Sequence, residues 1–503
     1  MRHKYLLMHN GSAVSRFSIP TLSNDEFVEE LLEGIDDGWR VVSYFGSSEG
    51  QFVKLYCLLS YKMDAQLGVM STVVTSGRFP SLVQYAPQVH LFEREIAEQY
   101  DLDFNDHPWM KPVRFVAPFA SPPGSRPTLP NKIGDMDFYR VEGDEVHEVA
   151  VGPVHAGIIE PGHFRFQCIG EEVMHLEISL GYQHRAVETT ILGPLNAKTR
   201  KQLETVAGDT TIGHGTAHAM IVEALAGARV PARAQAIRGI ALELERLANH
   251  TGDLGAISGD VGYLPTASYC GRIRGDFLNL TASLCGSRFG RDLAVPGGVF
   301  YDVSAELAEN MRGRLAAAWD DVTNAVDLLW ETPSVMARLE GTGVVSPQTA
   351  LELGLVGPAA RASALNRDIR RDHPFGIYSM AQIPVETGRA GDVYARTLVR
   401  WLEIEKSLEF IDEQLAHLPG VAIQYPVGQP AADTLAVALT EGWRGEICHV
   451  ALTDDRGEIE RYKITDPSFH NWTGLAMALR GGQISDFPLC NKSFNLSYCG
   501  FDL

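Results

Sequence analysis

Residues 203–226 read LETVAGDTTIGHGTAHAMIVEALA. A polar, glycine-punctuated turn, Ala207-Gly208-Asp209-Thr210-Thr211, runs into Ile212-Gly213-His214, and a helical pattern continues through Met220, Ile221, Ala224 and Leu225. Gly208 and Gly213 permit unusual backbone angles or close approach by another segment. A loop of this kind at the mouth of a helix is a common place to hold a cofactor or small substrate. Further on, Ile237, Ile240, Ala241, Leu244, Leu247 and Ala248 fall at helical spacing, with Glu243, Glu245 and Arg246 between them. His250 follows Arg246 by four residues on one face. Residues 307–329 and 391–417 extend the pattern, so the stretch opens a helical-bundle core.

Upstream of it, alternation in 163–168 and 173–179 predicts two antiparallel strands joined by Gly170-Glu171-Glu172. Residues 137–149 have hairpin character with Glu142-Gly143-Asp144 at the turn. Residues 116–130 contain five prolines and read as an extended linker, neither helix nor central strand. Ahead of them, 25–32 is an amphipathic helix capped by Ser23 or Asn24, 39–45 and 52–60 are strands, 67–74 is a candidate third, and 79–83 and 91–99 suggest helix. From residue 426 the chain reads as a strand-rich cap, with strands at 445–452 and 460–464 around the turn Asp454-Asp455-Arg456-Gly457. The expected fold is therefore α+β. A small N-terminal α/β domain (1–115) and a proline-rich linker (116–130) precede a core domain (131–503) of N-terminal β-hairpins, helical bundle and strand-rich cap.

The 503 residues carry a net charge of −20, which argues against nucleic acid or anionic lipid as the main partner. No run of 18 residues is free of charge, proline and glycine, so no membrane span is expected and any membrane link must come through other subunits. The basic N-terminus has too short an apolar run for a signal peptide. The seven cysteines are scattered without a C-x-x-C pair. They read as reduced, mostly buried thiols of a cytosolic protein that does not bind an iron–sulfur cluster alone. No G-x-G-x-x-G lies between a predicted strand and helix, so NADH binding is not indicated.

Longer motifs narrow the reading. Phe92-Glu93-Arg94-Glu95, then Tyr100-Asp101-Leu102-Asp103-Phe104 and His107-Pro108, resemble the signature of the 30-kilodalton-type subunit of respiratory complex I. Without that resemblance, Glu93, Arg94 and Glu95 would be a solvated helix face. Gly152-Pro153-x-His155, Pro161-Gly162-His163-Phe164-Arg165 and Gly181-Tyr182-Gln183-His184-Arg185-x-x-Glu188 resemble a second family. It unites the large subunits of [NiFe] hydrogenases with the quinone-side large subunit of complex I. Arg238…Glu243-Leu244-Glu245-Arg246-Leu247…His250 and the run 341–378 match it too. The fused order of the two is that of the energy-converting, membrane-bound hydrogenases, including the hydrogenase-4 and formate hydrogenlyase large subunits.

This resemblance implies specific chemistry at specific positions. The hydrogenases hold nickel with two C-x-x-C pairs. Aligned on Gly208 and His214, the first pair falls at Ala207 and Thr210, and the second falls near Cys490, with Ser493 where its partner would stand. No metal is therefore expected, because nickel requires thiolates. The quinone branch uses a histidine at or near Pro161 and a tyrosine at Gly208; both are absent here, though His155 and His163 on the same hairpin could substitute. His250 and Asp260 fall where that branch couples quinone chemistry to proton movement. Asp260 reads either as a buried carboxylate or as a turn residue in Ser258-Gly259-Asp260-Val261-Gly262. Arg444-Gly445 matches a pair lying against the active-site iron of hydrogenases, or is a surface turn. Glu188 reads as an ion-pair partner of Arg185 or Arg165, and His214 as a hydrogen-bonded core histidine.

The catalytic candidates are thus Asp260, His250, Arg444 and His214, with His155, His163 and Gly208 around a quinone-type cavity. By resemblance the chain is a large peripheral-arm subunit of a membrane-bound, complex I-like (hydrogenase-4-like) oxidoreductase. It would take part in electron transfer coupled to ion translocation, held on the inner face of the cell membrane by an iron–sulfur small subunit and membrane-arm subunits. The alternative is a non-catalytic scaffold joining that small subunit to the membrane arm. An open polar cavity between the Pro161 hairpin and the Gly208 loop would favour the first, and a packed one the second. No maturation cleavage of the C-terminal tail is expected.

Overall fold

The computed structural model of the chain describes residues 3–125, 129–157 and 159–503. The architecture is α+β. The N-terminal sheet is an antiparallel ladder in the order Leu6–Met8, Gln66–Val74, Phe52–Tyr61, Arg40–Glu49, with Thr21–Leu22 added parallel to Gln66–Val74. Helix Asn24–Asp36 starts at Ser23, which forms a capping box with Glu26, and buries Phe27 and Leu31. Helix His90–Tyr100 packs on Arg40–Glu49, where Gly46 leaves room for the Tyr100 ring and its carbonyl accepts the Tyr100 hydroxyl at 2.9 Å.

Three expectations are corrected. Residues 79–83 are not helical: Arg78–Pro80 is a strand parallel to Asp103–Asn105, and Ser81 and the Leu82 amide beyond it are tied to Glu93. No hairpin forms over 137–149. Val146–Val151 pairs with His163–Ile169 instead, while Phe138 stacks on Arg165 at 4.1 Å and the Tyr139 amide donates to Glu177 at 2.7 Å. Glu93, Arg94 and Glu95 are not a solvated face, because their helix is enclosed on every side. Arg94 donates to the carbonyls of Lys111 and Pro112, and Glu95 pairs with Arg114 and Lys463. Of the proline-rich stretch 116–130, Arg126, Pro127 and Thr128 lie outside the described residues; the rest is neither helix nor strand.

The core is built on one helix, Ala232–Asp260, of 29 residues. Helices Thr211–Ala226, Leu264–Cys285 and Val393–Ala416 pack against it, and Ala305–Trp330 packs on the last two, Trp319 stacking on Trp401 at 5.3 Å. The cap sheet runs Ile459–Thr465, Gly445–Thr453, Thr434–Gly442, Ser12–Ser15, so a strand from the beginning of the chain forms its edge. The end of the cap is helical rather than stranded, with Pro467–Leu479, Phe487–Phe494 and Tyr498–Asp502. Among the described residues no helix is long and apolar enough to cross a membrane.

Asn10 holds the N-terminal segment to the cap. Its amide donates to the carbonyls of Leu439 and His373 and accepts from the Leu439 amide, all within 2.9 Å. Asn10→Ala leaves buried backbone groups unpaired and should cost about 2–3 kcal/mol in denaturant unfolding. The Leu439 amide should then exchange with solvent faster; unchanged exchange would show that the strand docks without this side chain.

Candidate functional site

The turn before helix Thr211–Ala226 is held from three sides. The first free amides of the helix, Ile212 and Gly213, donate to Glu245 of the central helix at 2.7 and 3.2 Å. The Asp209 carbonyl accepts from Asn249 and from the Trp443 indole, both at 3.0 Å. The Asp209 carboxylate takes a bidentate grip from Arg444 at 2.6 and 2.8 Å. Burial would raise Asp209, but the Arg444 charge and hydrogen bonds outweigh it and hold the carboxyl below its usual range. Arg444 lies 3.9 Å over the Trp443 ring and donates through Nε to the Asn495 carbonyl, so it is a buried clamp and not a surface turn residue. Gly213 is required for close approach, since a Cβ there would stand 2.7 Å from Ile447 Cδ1. Gly208 faces open space without a positive φ.

His214 is fully buried. Its Nε2 hydrogen-bonds Asp466 at 3.1 Å and its Nδ1 hydrogen-bonds His449 at 3.1 Å; His449 in turn meets the Tyr462 hydroxyl, which also meets His218. Burial keeps His449 and His218 neutral, His218 near 3. His250 Nε2 hydrogen-bonds Glu403 at 2.8 Å, and its Nδ1 is buried without a partner among the described residues. Burial pushes His250 down against the pull of Glu403, which favours the neutral imidazole, with one ring nitrogen unbonded among the described residues.

Glu403 belongs to a larger set of buried charges. Arg361 pairs with Glu403 at 2.7 Å, Glu441 at 2.8 Å and Asp368 at 3.4 Å. Arg370 pairs with Asp368 at 2.6 Å and Glu243 at 3.1 Å, and Arg246 joins Glu243 to Glu403. The Tyr378 and Ser407 hydroxyls complete Glu243. Glu243, Glu245 and Arg246, interspersed with the apolar positions in the sequence, are all buried because neighbours cover the central helix on every side. Their buried roles have no local signal; only the partners on distant segments reveal them. The same is true of Asp209, Trp443 and Asp466.

Other candidates stand apart. Asp260 is the last residue of the central helix and is exposed, so it is not the buried carboxylate of the first alternative. His155 Nε2 hydrogen-bonds the Gly162 carbonyl at 2.9 Å and His163 Nδ1 the Gly152 carbonyl at 3.3 Å, so both rings brace their own hairpin. Glu188 pairs with Arg461 at 2.8 Å and Lys463 at 3.2 Å rather than with Arg165 or Arg185, because it faces the cap sheet.

The C-terminal segment packs between the hairpin and the turn. Asn495 adopts a left-handed conformation (φ 45°), which turns the chain so that its carbonyl meets Arg444. Tyr498 then lies against Gly162, Phe164 and Trp472, and Arg185 bridges the carbonyls of Val206 and Cys499. Cys490 does not take this place: it is buried beside Gly343, and Ser493 is held by Arg396 at 2.8 Å. The donor set at the turn does not suit nickel. Ala207 has no ligating atom and the Thr210 hydroxyl accepts from Arg444 at 3.2 Å.

Comparison with known proteins agrees with the two-part sequence reading. Residues 24–123 match the 30 Kd subunit of respiratory-chain NADH dehydrogenase, and residues 260–432 match its 49 Kd subunit. Formate hydrogenlyase subunit 5 of Escherichia coli is 29% identical over 498 residues, covering 94% of this chain and 86% of its own. Hydrogenase-4 component G of the same organism is 29% identical over 481 residues, 92% of this chain and 83% of its own. NADH-quinone oxidoreductase subunit 4 of Thermus thermophilus is 30% identical over 375 residues, 68% of this chain and 90% of its own.

Burial pushes Glu245 from 4.5 up to about 8, with the Ile212 and Gly213 amides opposing it only in part. A carboxyl raised in the folded state adds stability that is fully present below pH 4.5 and is lost as pH climbs to about 8. Over that window the stability difference between wild type and Glu245→Gln should fall with a limiting slope of about 1.4 kcal/mol per pH unit. Urea unfolding at stepped pH measures it, and parallel profiles would place Glu245 in water rather than in the core.

Proposed function

Because the chain belongs to the family of the 49 Kd subunit of respiratory-chain NADH dehydrogenase and of NADH-quinone oxidoreductase subunit 4, we propose that it is the large peripheral-arm subunit of a membrane-bound, complex I-like oxidoreductase of the hydrogenase-4 type. In that assembly it takes part in electron transfer coupled to ion translocation, beside an iron–sulfur small subunit and on membrane-arm subunits at the inner face of the cell membrane. It supplies no nickel centre of its own.

One observation supports a redox-coupled role most strongly. The turn is tied through Asp209, Trp443 and Glu245 to the helix that carries Glu243, Arg246 and His250, and so to the buried charges around Arg361 and Glu403. Apolar residues of similar volume would stabilise such a core as well or better. Ionisable groups held there instead, with a neutral His250 against an ionised Glu403, are equipped to move a proton in response to charge at the turn. The scaffold alternative draws support from the C-terminal segment, which packs between the hairpin and the turn.

The assembly purified through a tag on this chain separates the two readings. A low-potential donor should be oxidised with a quinone analogue as acceptor, and His250→Gln should cut turnover by roughly 100-fold or more with subunit composition unchanged. An intact assembly whose turnover ignores His250→Gln would leave the scaffold. Elemental analysis should find iron without stoichiometric nickel; one nickel per chain would overturn the nickel-free reading.

A further inference from the structure

A second opening reaches the buried charges from the surface. It is a cavity of about 210 Å³ between the N-terminal sheet and the core. Its mouth is at exposed Gly38, Lys62 and Leu351; its floor is Asp368, Glu441 and Glu446, each no more than 3% exposed. Gly38 and Lys62 of the mouth lie hundreds of residues from the floor in sequence.

Two charged side chains in the wall each have one atom without a hydrogen-bond partner among the described residues. Glu446 Oε2 pairs with Arg40, but Oε1 is buried and unbonded. Arg367 Nη1 is likewise buried and unbonded. A carboxylate oxygen and a guanidinium nitrogen left dry would each cost several kcal/mol, so the cavity favours water, which can donate to the first and accept from the second. A volume of 210 Å³ holds about seven waters at ~30 Å³ each, and the polar walls supply the partners that such waters need.

The floor belongs to the charge set described above. Glu441 accepts from Arg361 at 2.8 Å and from the Ile369 amide at 3.0 Å. Within the buried set itself Arg246, Arg361 and Arg370 face four carboxylates, Glu243, Asp368, Glu403 and Glu441, one carboxylate more than there are guanidiniums. Glu243, Asp368 and Glu403 are held below the usual range by the arginines against their burial, while burial and then the Asp368 charge raise Glu441. From the cavity side Arg40, Lys62, Arg367, Asp372 and Glu446 also face the pair, and His373, pushed down to about 4 by burial, stays neutral.

We propose that this cavity is a hydrated proton inlet, through which the Glu441–Asp368 pair exchanges its proton with bulk solvent past Lys62. In the outward step the Glu441 O–H bond breaks as a cavity water takes the proton, and the carboxylate left behind is held by Arg361; the inward step is the reverse. No electron moves and no other reactant is needed. The exchange is a property of the chain alone, so it stands or falls separately from the proposed redox role.

Infrared difference spectroscopy of the full chain near pH 6 tests it. One component of the protonated-carboxyl C=O absorption, separate from that of Glu245, should be lost in Glu441→Gln, and in wild type that component should shift within the mixing time of transfer to D₂O. Leu351→Trp at the mouth and Ser60→Leu inside should slow that shift roughly tenfold or more while leaving the band in place. These two variants keep Glu441, so they test the inlet even if Glu441→Gln fails to fold. An absorption unchanged in Glu441→Gln, or a shift of the Glu441 component as fast in both plugged variants as in wild type, would overturn the proposal.

Discussion

Arg361 is the interaction on which the rest of the core depends. It is fully buried, and its guanidinium meets carboxylates from three separate segments: Glu403 of helix Val393–Ala416, Glu441 of the cap sheet and Asp368 before helix Ile369–Asp372. A buried arginine cannot shed its proton, so each of those segments must deliver a negative group to it before the interior can close. The central helix contributes Glu243 and Arg246 to the same set, and Arg246 also donates to the carbonyls of Glu441 and Gly442. The bundle and the cap are thereby registered against each other by charge as well as by apolar packing.

The turn at Ala207–His214 is an outpost of this arrangement. Its neighbours that matter chemically are Arg444 and Trp443 from the cap, Glu245 and Asn249 from the central helix, and Asn495 from the C-terminal segment. An ion pair, Asp209 with Arg444, stands beside Ala207 and Thr210, the positions at which the sequence resemblance would place thiolates. The turn carries the glycine that lets the cap sheet approach and the histidine that reaches Asp466, and the end of the chain packs beside it. Function resides in the sites a scaffold carries, not in the scaffold itself. The buried titratable groups behind the turn are the part of the site that still has chemistry to offer.

Periodicity predicted the long helices well. Residues 234–251 and 307–329 lie inside Ala232–Asp260 and Ala305–Trp330, and the strands at 163–168, 173–179 and 445–452 lie inside observed ones. It failed where an element's partner was non-local. The segment 137–149 was expected to pair with itself but pairs with His163–Ile169. Without the complex I resemblance Glu93, Arg94 and Glu95 of helix His90–Tyr100 would be read as facing water, yet all are buried. An amphipathic pattern tells which face of a helix goes inward only when the other face is free; helices enclosed on all sides carry polar residues that pair instead of being solvated.

The chain by itself determined the α+β class, the order of its modules, and the residue types available at the turn: no thiolate at Ala207 or Thr210, no tyrosine at Gly208. Tertiary structure alone decided that Asp209 belongs to Arg444, that Glu188 belongs to Arg461 and Lys463, that Asp260 is exposed, and that the end of the chain rather than Cys490 meets the turn. The reason is physical. Secondary structure follows from local spacing, which is written along the chain. The state of a buried charge is set by partners hundreds of residues away, whose identity depends on which surfaces the fold brings together.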